Sequence, residues 1–214
     1  MSPFLLVLSS PSGGGKTAIA RHLLGARDDV TYSVSATTRP KREGEQDGVA
    51  YHFLPREEFE RRIRSGDFLE WAEYGGQLYG TLRSEVERGL RQGRHVVLDI
   101  EVQGAEQVCE RFPNAVRVFV LPPSARVLAE RLKNRGTDDE ASRRRRLAIA
   151  ADELTRVGEY DYVVVNDDLV EAVGQVAAIL EVESRRVARL ANLDRVVAAM
   201  RTELANGPAK APSS

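Results

Sequence analysis

The sequence is poor in the residues that build disulfides and zinc sites. Its 214 residues include one cysteine, Cys109, and three histidines. A single cysteine cannot form an internal disulfide, and no Cys/His cluster has the spacing of zinc ligands. These absences exclude a disulfide-stapled domain and a zinc module, and they favour a reducing cytoplasm as the location.

The sequence also lacks an excess of charge and a long apolar run. Lys and Arg total 31 against 32 Asp and Glu, which gives a formal net charge of -1. This balance gives no global reason to expect binding to nucleic acid or to an anionic membrane, so any anion site must be local. The apolar run Phe4–Leu8 is far shorter than a membrane span or the core of a signal peptide. We therefore expect neither nucleic acid nor a membrane among the partners.

What the sequence does contain is a set of short apolar runs that predict buried strands. They are Phe4–Leu8, His95–Ile100, Ala115–Val120 and Tyr162–Val165. Helical patterns lie between or after these runs, and continuous apolar runs are typical of parallel strands buried on both faces. The alternation predicts an α/β fold with a mainly parallel sheet flanked by helices.

The composition changes along the chain and predicts how this fold is divided. Residues 33–93 carry short strand-like pieces, aromatic residues and scattered glycines, which predicts a mixed α/β subdomain inserted into a core of residues 1–32 and 94–204. Seven Lys or Arg stand against three acids between Arg131 and Arg146. This basic segment predicts a mobile helical lid.

The end of the chain carries one long helical pattern, from Leu169 to about Leu204. Its apolar face, formed by Val173, Val176, Ala177 and Leu180, favours packing on the protein's own sheet, whereas continuation beyond Ser184 into a dimer contact is the alternative. The sequence therefore leaves a monomer and a homo-oligomer both open. Residues 205–214 are predicted to be a disordered tail.

A glycine-rich phosphate loop follows the first predicted strand. Residues 10–17 read S-P-S-G-G-G-K-T and fit the P-loop pattern G-x-x-x-x-G-K-[ST], except that Ser10 replaces the first glycine. The backbone N–H groups of such a loop point toward one anion, the lysine reaches the β and γ phosphates, and the hydroxyl joins Mg²⁺. The loop predicts binding of ATP with Mg²⁺ through Ser12, Gly13, Gly14, Gly15, Lys16 and Thr17. The alternative is a flexible glycine turn that happens to precede a lysine.

Asp99 ends the apolar strand Val96–Leu98 and gives a partial Walker B pattern. A carboxylate there can orient the hydration shell of Mg²⁺, so we expect Thr17 to contact the metal and Asp99 to act through water. Taken alone this signal is weak, because many buried strands end in Asp.

Several ordered motifs between about Phe4 and Leu180 closely resemble guanylate kinases. They are Ser33–Glu45, Asp47–Phe53, Phe68–Ala72, Tyr79–Thr81, Leu98–Gly104, Arg135–Thr137 and Val165–Asp168. The resemblance implies a P-loop NTPase-type fold, an ATP:GMP phosphotransferase of purine nucleotide metabolism that gives ADP and GDP, and an extension of the acceptors to dGMP. It also implies that residues 33–93 bind GMP and that the lid lies within residues 131–146.

The resemblance further implies a role for particular residues. Arg39, Arg42, Tyr51 and Tyr79 would hold the GMP phosphate, and Ser35, Glu70, Thr81 and Asp99 would surround the guanine. Arg131, Arg135 and Arg146 would close over the phosphates, with Asn166 also on the ATP side. The implied catalytic set is Lys16, Arg39, Arg135 and Arg146. Within the run Arg143–Arg146 the choice of Arg146 can be displaced by one turn.

Physical chemistry supports these assignments independently. A carboxylate at Glu70 could accept both the N1–H and the N2–H of guanine, whereas adenine offers an acceptor at N1 and no N2 amine. No general base is required, because the second pKa of an acceptor phosphate is about 6 and its attacking oxygen is already mostly deprotonated at pH 7. We therefore interpret His22, His52 and His95 as non-catalytic.

Two other functions remain as alternatives at this point. Guanylate-kinase-like domains also occur as protein-binding modules, although such modules typically have degraded phosphate loops. A P-loop phosphotransferase for another nucleotide or a small phosphate ester is the second alternative. Single residues also have plain structural readings: Arg39 and Arg42 as solvated loop charges, the tyrosines as packing aromatics, and Glu70 as an exposed strand carboxylate.

Overall fold

The computed structural model describes residues 2–133 and 140–206. A five-stranded parallel sheet forms the centre of this part of the chain, in the spatial order β2-β7-β1-β8-β9. The strands are β1 (Leu5–Ser9), β2 (Val30–Tyr32), β7 (His95–Asp99), β8 (Val116–Leu121) and β9 (Tyr162–Val165). The parallel sheet predicted from the four apolar runs is confirmed, with β2 as an additional edge strand.

Both faces of this sheet are covered by helices, which explains why β1 is apolar at consecutive positions. Leu6 and Leu8 pack in one cluster with α1 (Lys16–Ala26) and α7 (Leu169–Ser184). Leu5 and Val7 face the opposite cluster, to which α3 (Arg83–Arg91) and α4 (Val102–Arg111) contribute Val86, Ala105 and Val108. The fold is therefore a three-layer α/β arrangement.

A second sheet lies within the segment that the sequence set apart. Its order is β4-β3-β6-β5, built from β3 (Ser35–Thr37), β4 (His52–Phe53), β5 (Phe68–Tyr74) and β6 (Gln77–Leu82). The β3–β4 pair is parallel, while β3–β6 and β5–β6 are antiparallel. Helix α2 (Arg56–Ser65) covers this sheet with Phe59, whose ring stacks on Phe68 at a centroid distance of 4.2 Å. The mixed sheet has its own small core.

Two helices bracket the segment predicted as a lid. Helix α5 (Ala125–Lys133) and helix α6 (Glu140–Thr155) pack on each other through Leu128, Leu132, Leu147 and Ala150. Residues 134–139, which include Arg135, lie outside the described residues. The mobility of the lid stays a prediction.

The single long helix predicted from Leu169 to about Leu204 is wrong. Helix α7 ends at Ser184, a short 3-10 turn follows at Val187–Arg189, and helix α8 (Leu193–Ala205) begins after it. The break is held by Arg189, which donates to Glu183 and to the Asn114 carbonyl and lies over the Phe4 ring. These contacts hold the Arg189 side chain against Phe4, Glu183 and Asn114, and a straight continuation of α7 could not make them. Residues 207–214 of the predicted tail lie outside the described residues.

In the described ranges, no helix combines the length and the apolar character needed to cross a membrane.

Candidate active site

A cleft of about 600 Å³ opens between the carboxyl ends of β1 and β7 and the mixed sheet. Most of the predicted site residues line it together: Ser12, Gly13, Gly15, Lys16, Thr17, Ser35, Arg39, Arg42, Tyr51, Glu70, Tyr79, Asp99 and Arg146. Ligand sites of open α/β sheets lie at the carboxyl ends of the strands. Residues that are distant in sequence therefore share one cavity at the position that the fold favours.

The phosphate loop has the backbone that its glycines were predicted to provide. Gly13 and Gly15 lie in the left-handed region, with φ of 92° and 98°, which other residues rarely adopt. Helix α1 starts directly after the loop at Lys16, so its N-terminal N–H groups and dipole face the cleft. A Cβ at Gly14 would lie 2.6 Å from the Cβ of Ser10. The departure from the motif at Ser10 is thus accommodated by packing against a position that must remain glycine.

Lys16 and Thr17 contact carboxylates at the end of β7 and just after it. The Lys16 ammonium donates to Glu101 Oε1 at 2.8 Å and lies 3.8 Å from Asp99 Oδ1. Burial alone would lower the pKa of Lys16, but the two carboxylates outweigh it and the net pKa is raised. Thr17 Oγ1 donates to Asp99 Oδ2 at 2.5 Å. The loop lysine is therefore charged and held by the protein's own anions.

Two predicted ATP-side residues contact the outside of the phosphate loop. Asn166 Nδ2 donates to the Gly14 carbonyl at 2.9 Å, and Arg131 donates to the Asn166 carbonyl at 3.0 Å. A Cβ at Gly15 would lie 2.1 Å from Asn166 Nδ2. Neither Arg131 nor Asn166 is among the residues that line the cleft. Their contacts therefore support the phosphate loop on the side that faces away from the cleft.

Glu70 lies at the far end of the cleft, on β5. Its side chain is buried, with a relative exposure of 5%, and Thr81 Oγ1 donates to its Oε1 at 2.6 Å. Burial raises the pKa of Glu70 from its ordinary value of 4.5 to about 7, although hydrogen bonds from Thr81 oppose the shift. Sheet register places Thr81 opposite both Glu70 and Ser35, so three neighbouring strands bring these side chains together. The reading of Glu70 as an exposed strand carboxylate is wrong.

The opposite side of Glu70 is closed by the first turn of α4. A Cβ at Gly104 would lie 2.5 Å from Glu70 Oε2, closer than side chains approach each other. The helix backbone reaches the carboxylate because residue 104 has no side chain. Glu70 is thus confined between a hydroxyl donor and a helix backbone.

Arg39, Arg42, Tyr51 and Tyr79 lie on the same cleft wall. Arg39 donates to Glu45 Oε1 at 2.8 Å, and the Arg42 backbone N–H donates to Glu45 Oε2 at the same distance. The Arg39 guanidinium lies 5.3 Å from the centroid of the Tyr51 ring, which is 6.1 Å from the Tyr79 ring. Burial, followed by nearby Asp99, raises the pKa of Tyr51, so its hydroxyl stays a neutral donor. These residues form one donor surface.

Comparison with known proteins decides the family. The family model described as guanylate kinase matches residues 2–183. The chain belongs to the guanylate kinase family. It is 50% identical over 185 residues to the guanylate kinase of Symbiobacterium thermophilum, covering 86% of this chain and 88% of that one. The Thermotoga maritima guanylate kinase is 48% identical over 192 residues, or 90% of this chain and 92% of that one.

A solved structure supports the same assignment. The crystal structure of guanylate kinase from Anaplasma phagocytophilum has a TM-score of 0.76 and 35% identity, covering 92% of this chain and 95% of that chain. The family, the fold class and the guanylate kinase activity predicted from the sequence are confirmed.

Among the described residues of the basic segment, one arginine lines the cleft of this guanylate kinase family member. Arg146 on α6 is half-buried and lines the cleft, whereas Arg144 and Arg145 are exposed. Arg135 and the side chain of Arg143 lie outside what the structure describes. The location of Arg146 fits the choice made from the sequence, and its role stays a prediction.

Sequence reasoning missed two carboxylates beside the phosphate loop. Glu101 pairs with Lys16, and its place two residues after Asp99 in a quoted motif was the available signal. Glu153 on α6 has no comparable signal. Burial and nearby Glu101 raise the pKa of Glu153 above its ordinary value, and its Oε2 is buried without a hydrogen-bond partner. Glu101, Lys16 and Ser12 all influence Glu153, so this part of α6 lies close to the loop.

The donor set suits a metal that is held mainly by its nucleotide. Among residues 2–133 and 140–206, no group of three or more His, Cys, Asp or Glu side chains could hold a metal ion alone. The Thr17 hydroxyl and Asp99 carboxylate nevertheless present hard oxygen atoms together at the loop. Mg²⁺ typically binds through one or two protein oxygens plus substrate phosphates and water, so the pair fits Mg²⁺.

Proposed function

We propose that this member of the guanylate kinase family transfers the γ-phosphoryl group of ATP to GMP in the cleft between the two sheets, giving ADP and GDP. The observation that carries the proposal is the buried Glu70–Thr81 pair in the same cavity as an intact phosphate loop. The loop binds ATP, and the carboxylate selects the base of the acceptor. The two substrates thus bind at opposite ends of one cleft.

The ATP end is formed by the phosphate loop. The N–H groups of Gly13, Gly14 and Gly15 surround the β phosphate. The Lys16 ammonium leaves Glu101 and donates to oxygen atoms of the β and γ phosphates instead. Ser12 and Thr17 complete the loop. Asn166 and Arg131 keep it in shape through the Gly14 carbonyl, and Arg131, Arg135 and Arg146 add positive charge from the lid.

Thr17 and Asp99 form the proposed Mg²⁺ position, Thr17 directly and Asp99 through water. When bound, Mg²⁺ would supply neutralisation of charge on the nucleotide phosphates. Binding of the nucleotide separates the Thr17–Asp99 pair, which frees both oxygens for this task.

The GMP end is formed by the mixed sheet. Arg39, Arg42, Tyr51 and Tyr79 donate to the GMP phosphate, since guanidinium groups present paired donors and tyrosines add neutral ones. Glu70 accepts from the guanine N1–H and N2–H, with Ser35, Thr81 and Asp99 beside the base. AMP would leave the buried carboxylate facing the N1 lone pair, which disfavours adenine. We include dGMP as an acceptor because these contacts involve base and phosphate.

Chemistry at this site requires alignment and charge neutralisation and no general base. The GMP phosphate is mostly dianionic at pH 7, and Lys16, Arg39, Arg135 and Arg146 offset the crowded negative charge during transfer. Residues 33–93 act as the GMP-binding subdomain, 1–32 and 94–204 as the core, and 131–146 as the lid. Closure of these parts excludes water and prevents wasteful hydrolysis of ATP. The single cysteine and this metabolic role support a cytoplasmic location.

A panel of acceptors tests the proposal. ADP release from ATP–Mg²⁺ is measured in parallel with GMP, dGMP, AMP, UMP and CMP. We expect rapid turnover with GMP, turnover with dGMP, and little with the other three nucleotides. Absence of GMP-dependent turnover would overturn the proposed reaction, whereas equal rates with GMP and AMP would overturn only the role of Glu70.

A further inference from the structure

Strand β5, which carries Glu70, contains one extra residue just before that carboxylate. Phe68 pairs with Leu82 of β6 and Glu70 pairs with Thr81, so two steps along β5 match one step along β6. This mismatch defines a β-bulge, and Leu69 is the residue left over. Because bulges change the direction in which nearby side chains point, the bulge at Leu69 sets the direction of Glu70.

The side chains around the bulge show its effect. In a regular strand, residues three apart point to opposite faces. Phe68 and Trp71 nevertheless lie on one face, because a Cβ at Gly80 of β6 would lie 2.9 Å from the Phe68 ring and 3.0 Å from the Trp71 Cβ. Without the extra residue, Glu70 would share the face of Phe68, which packs in the small apolar core of the mixed sheet. The bulge therefore turns Glu70 away from that core and into the cleft.

Arg111 on α4 holds the backbone of the bulge. One guanidinium nitrogen, Nη1, donates to the Phe68 carbonyl at 2.7 Å and to the Leu69 carbonyl at 2.5 Å. Hydrogen bonds from an ionised donor are roughly twice as strong as those between neutral groups. The Leu69 side chain is also fixed, because it is buried in the cluster that α3 and α4 form on the central sheet. The extra residue is thus attached to the core domain by its backbone and by its side chain.

Gln107 on α4 holds the residue that follows Glu70. Its Oε1 accepts from the Trp71 N–H at 3.2 Å, and its Nε2 donates to the Trp71 carbonyl at 2.9 Å. Strand β5 is the last strand in the order β4-β3-β6-β5, so its outer edge has no strand neighbour in the part of the chain that the structure describes. The Gln107 amide makes the two bonds that a residue of an antiparallel neighbour would exchange. It therefore takes the place of a further strand at this one residue.

The contacts with β5 come from one face of α4. Gly104, Gln107 and Arg111 are three and four residues apart, a spacing that places them in line on a helix. If Gln107 and Arg111 only covered a polar strand edge, their contacts could fall anywhere along β5. They fall instead on the residues directly before and after Glu70, while Gly104 abuts the Glu70 carboxylate itself. This coincidence indicates a role in placing the carboxylate.

We propose that Arg111 and Gln107 are positioning residues for base selection, which hold the bulge at Leu69 and thereby fix the Glu70 carboxylate where it accepts from guanine. The inference rests on the proposed function, because it requires that Glu70 binds the acceptor base. Neither Arg111 nor Gln107 is among the residues that line the cleft, so both act through β5. A shift of about 1 Å at a binding group can lower rates by as much as ~100-fold, so loss of either contact is expected to weaken base selection.

Steady-state kinetics with GMP and AMP provide the first test. Arg111→Ala should lower the ratio of kcat/KM for GMP over AMP roughly tenfold, mainly through a higher KM for GMP, while KM for ATP stays unchanged. Arg111→Lys keeps a cationic donor and should restore most of the ratio. Gln107→Ala should lower the ratio in the same way, because both bonds to Trp71 are lost. Wild-type ratios in Arg111→Ala and Gln107→Ala would overturn the inference.

Ile63→Ala is the matched control for general loosening of the mixed sheet. Ile63 packs against the small apolar core of this sheet from α2, on an element other than α4. The variant should lower the melting temperature, as Arg111→Ala also should, but it should keep the wild-type preference for GMP. An equal loss of preference in Ile63→Ala would show that Arg111 has only a structural role and would contradict the inference.

A double-mutant cycle with Glu70 tests whether Arg111 acts through the carboxylate. Adding Arg111→Ala to Glu70→Gln should change the GMP/AMP ratio by less than about twofold, because the group that Arg111 positions is already altered. A further tenfold loss in the double variant would mean independent effects and would rule out positioning of Glu70. The wild-type protein separates the two levels of the argument. If it does not turn over GMP, the proposed function fails; if it prefers GMP and the variants do too, only the role of Arg111 and Gln107 fails.

Discussion

The two ends of the cleft are prepared for their ligands in opposite ways. At the base end, Glu70 is buried, accepts from Thr81 and abuts the backbone at Gly104. At the phosphate end, Lys16 and Arg39 already pair with carboxylates, Glu101 and Glu45. At the base end, the Glu70 carboxylate is therefore already fixed in place before a base binds. At the phosphate end, Lys16 and Arg39 must leave protein carboxylates in order to bind the phosphates of the ligands.

This difference between the two ends assigns base selectivity to the buried Glu70 carboxylate and catalysis to the cations of the phosphate end. A confined carboxylate discriminates between bases because an incorrect base leaves it without donors. Cations held by exchangeable partners stay charged and positioned in the free enzyme, and they release to the phosphates when these arrive. Substitutions at the two ends should consequently separate selectivity from turnover.

The largest effect is expected for Lys16→Ala at the phosphate end. The variant should lose ~10³-fold in kcat, because the phosphate loop loses the cation proposed to offset charge on the transferred group. GMP binding, followed by calorimetric titration without ATP, should change little. Arg61→Ala, an exposed change on α2, is the control for general damage. Normal turnover in Lys16→Ala would contradict the assignment of the phosphate loop.

Glu70→Gln should lower the ratio of kcat/KM for GMP over AMP by about 100-fold, since an amide can donate to adenine N1 as well as accept. Glu73→Gln, on the exposed face of the same strand, is the matched control and should keep the ratio. If the selectivity of Glu70→Gln were intact, base recognition would have to lie elsewhere in the cleft.

The same substitution should stabilise the ligand-free protein in a pH-dependent way. The folded-state pKa of Glu70, about 7, exceeds its ordinary value of 4.5. Stability from this carboxyl is therefore fully present below pH 4.5 and is lost as the pH rises through 7. Glu70→Gln removes the buried charge and should raise the unfolding free energy by roughly 3 kcal/mol at pH 8. Urea unfolding at pH 8 and pH 4.5 should show this gain only at the higher pH.

Arg39→Ala should raise KM for GMP by roughly tenfold, the scale of one lost charge-assisted hydrogen bond. Steady-state kinetics at saturating ATP measure it, with Arg61→Ala again as the reference. An unchanged KM would remove Arg39 from the phosphate site and leave the phosphate end to other donors.

The parts of this molecule that sequence predicted well are those with local signals. Consecutive apolar residues marked the parallel strands, and the glycines of residues 13–15 marked a loop that requires left-handed backbone. The Glu70 position followed from resemblance to the family, and its burial agrees with the chemistry proposed for it.

The parts that sequence missed depend on contacts between distant residues. Asn166 was placed on the ATP side by the resemblance, but its contact with the Gly14 carbonyl, 152 positions away, has no local signal. Arg189 ends the helical pattern by binding Glu183 and the Asn114 carbonyl. Glu153 lies near the phosphate loop only because of where α6 packs, which its sequence pattern does not show. Periodicity describes one element at a time, so it cannot reveal where two elements meet.

The wall at Gly104 has a consequence for redesign of this enzyme. A purine pocket is usually retuned by exchanging the side chains around it, but here one wall is main chain, and the first carbon added to it would meet the carboxylate of Glu70. As long as Glu70 is kept, attempts to broaden the acceptor range are thus limited to the strand side of the pocket. Because the α4 backbone forms this wall, it limits the size of any new residue that is introduced to bind the base.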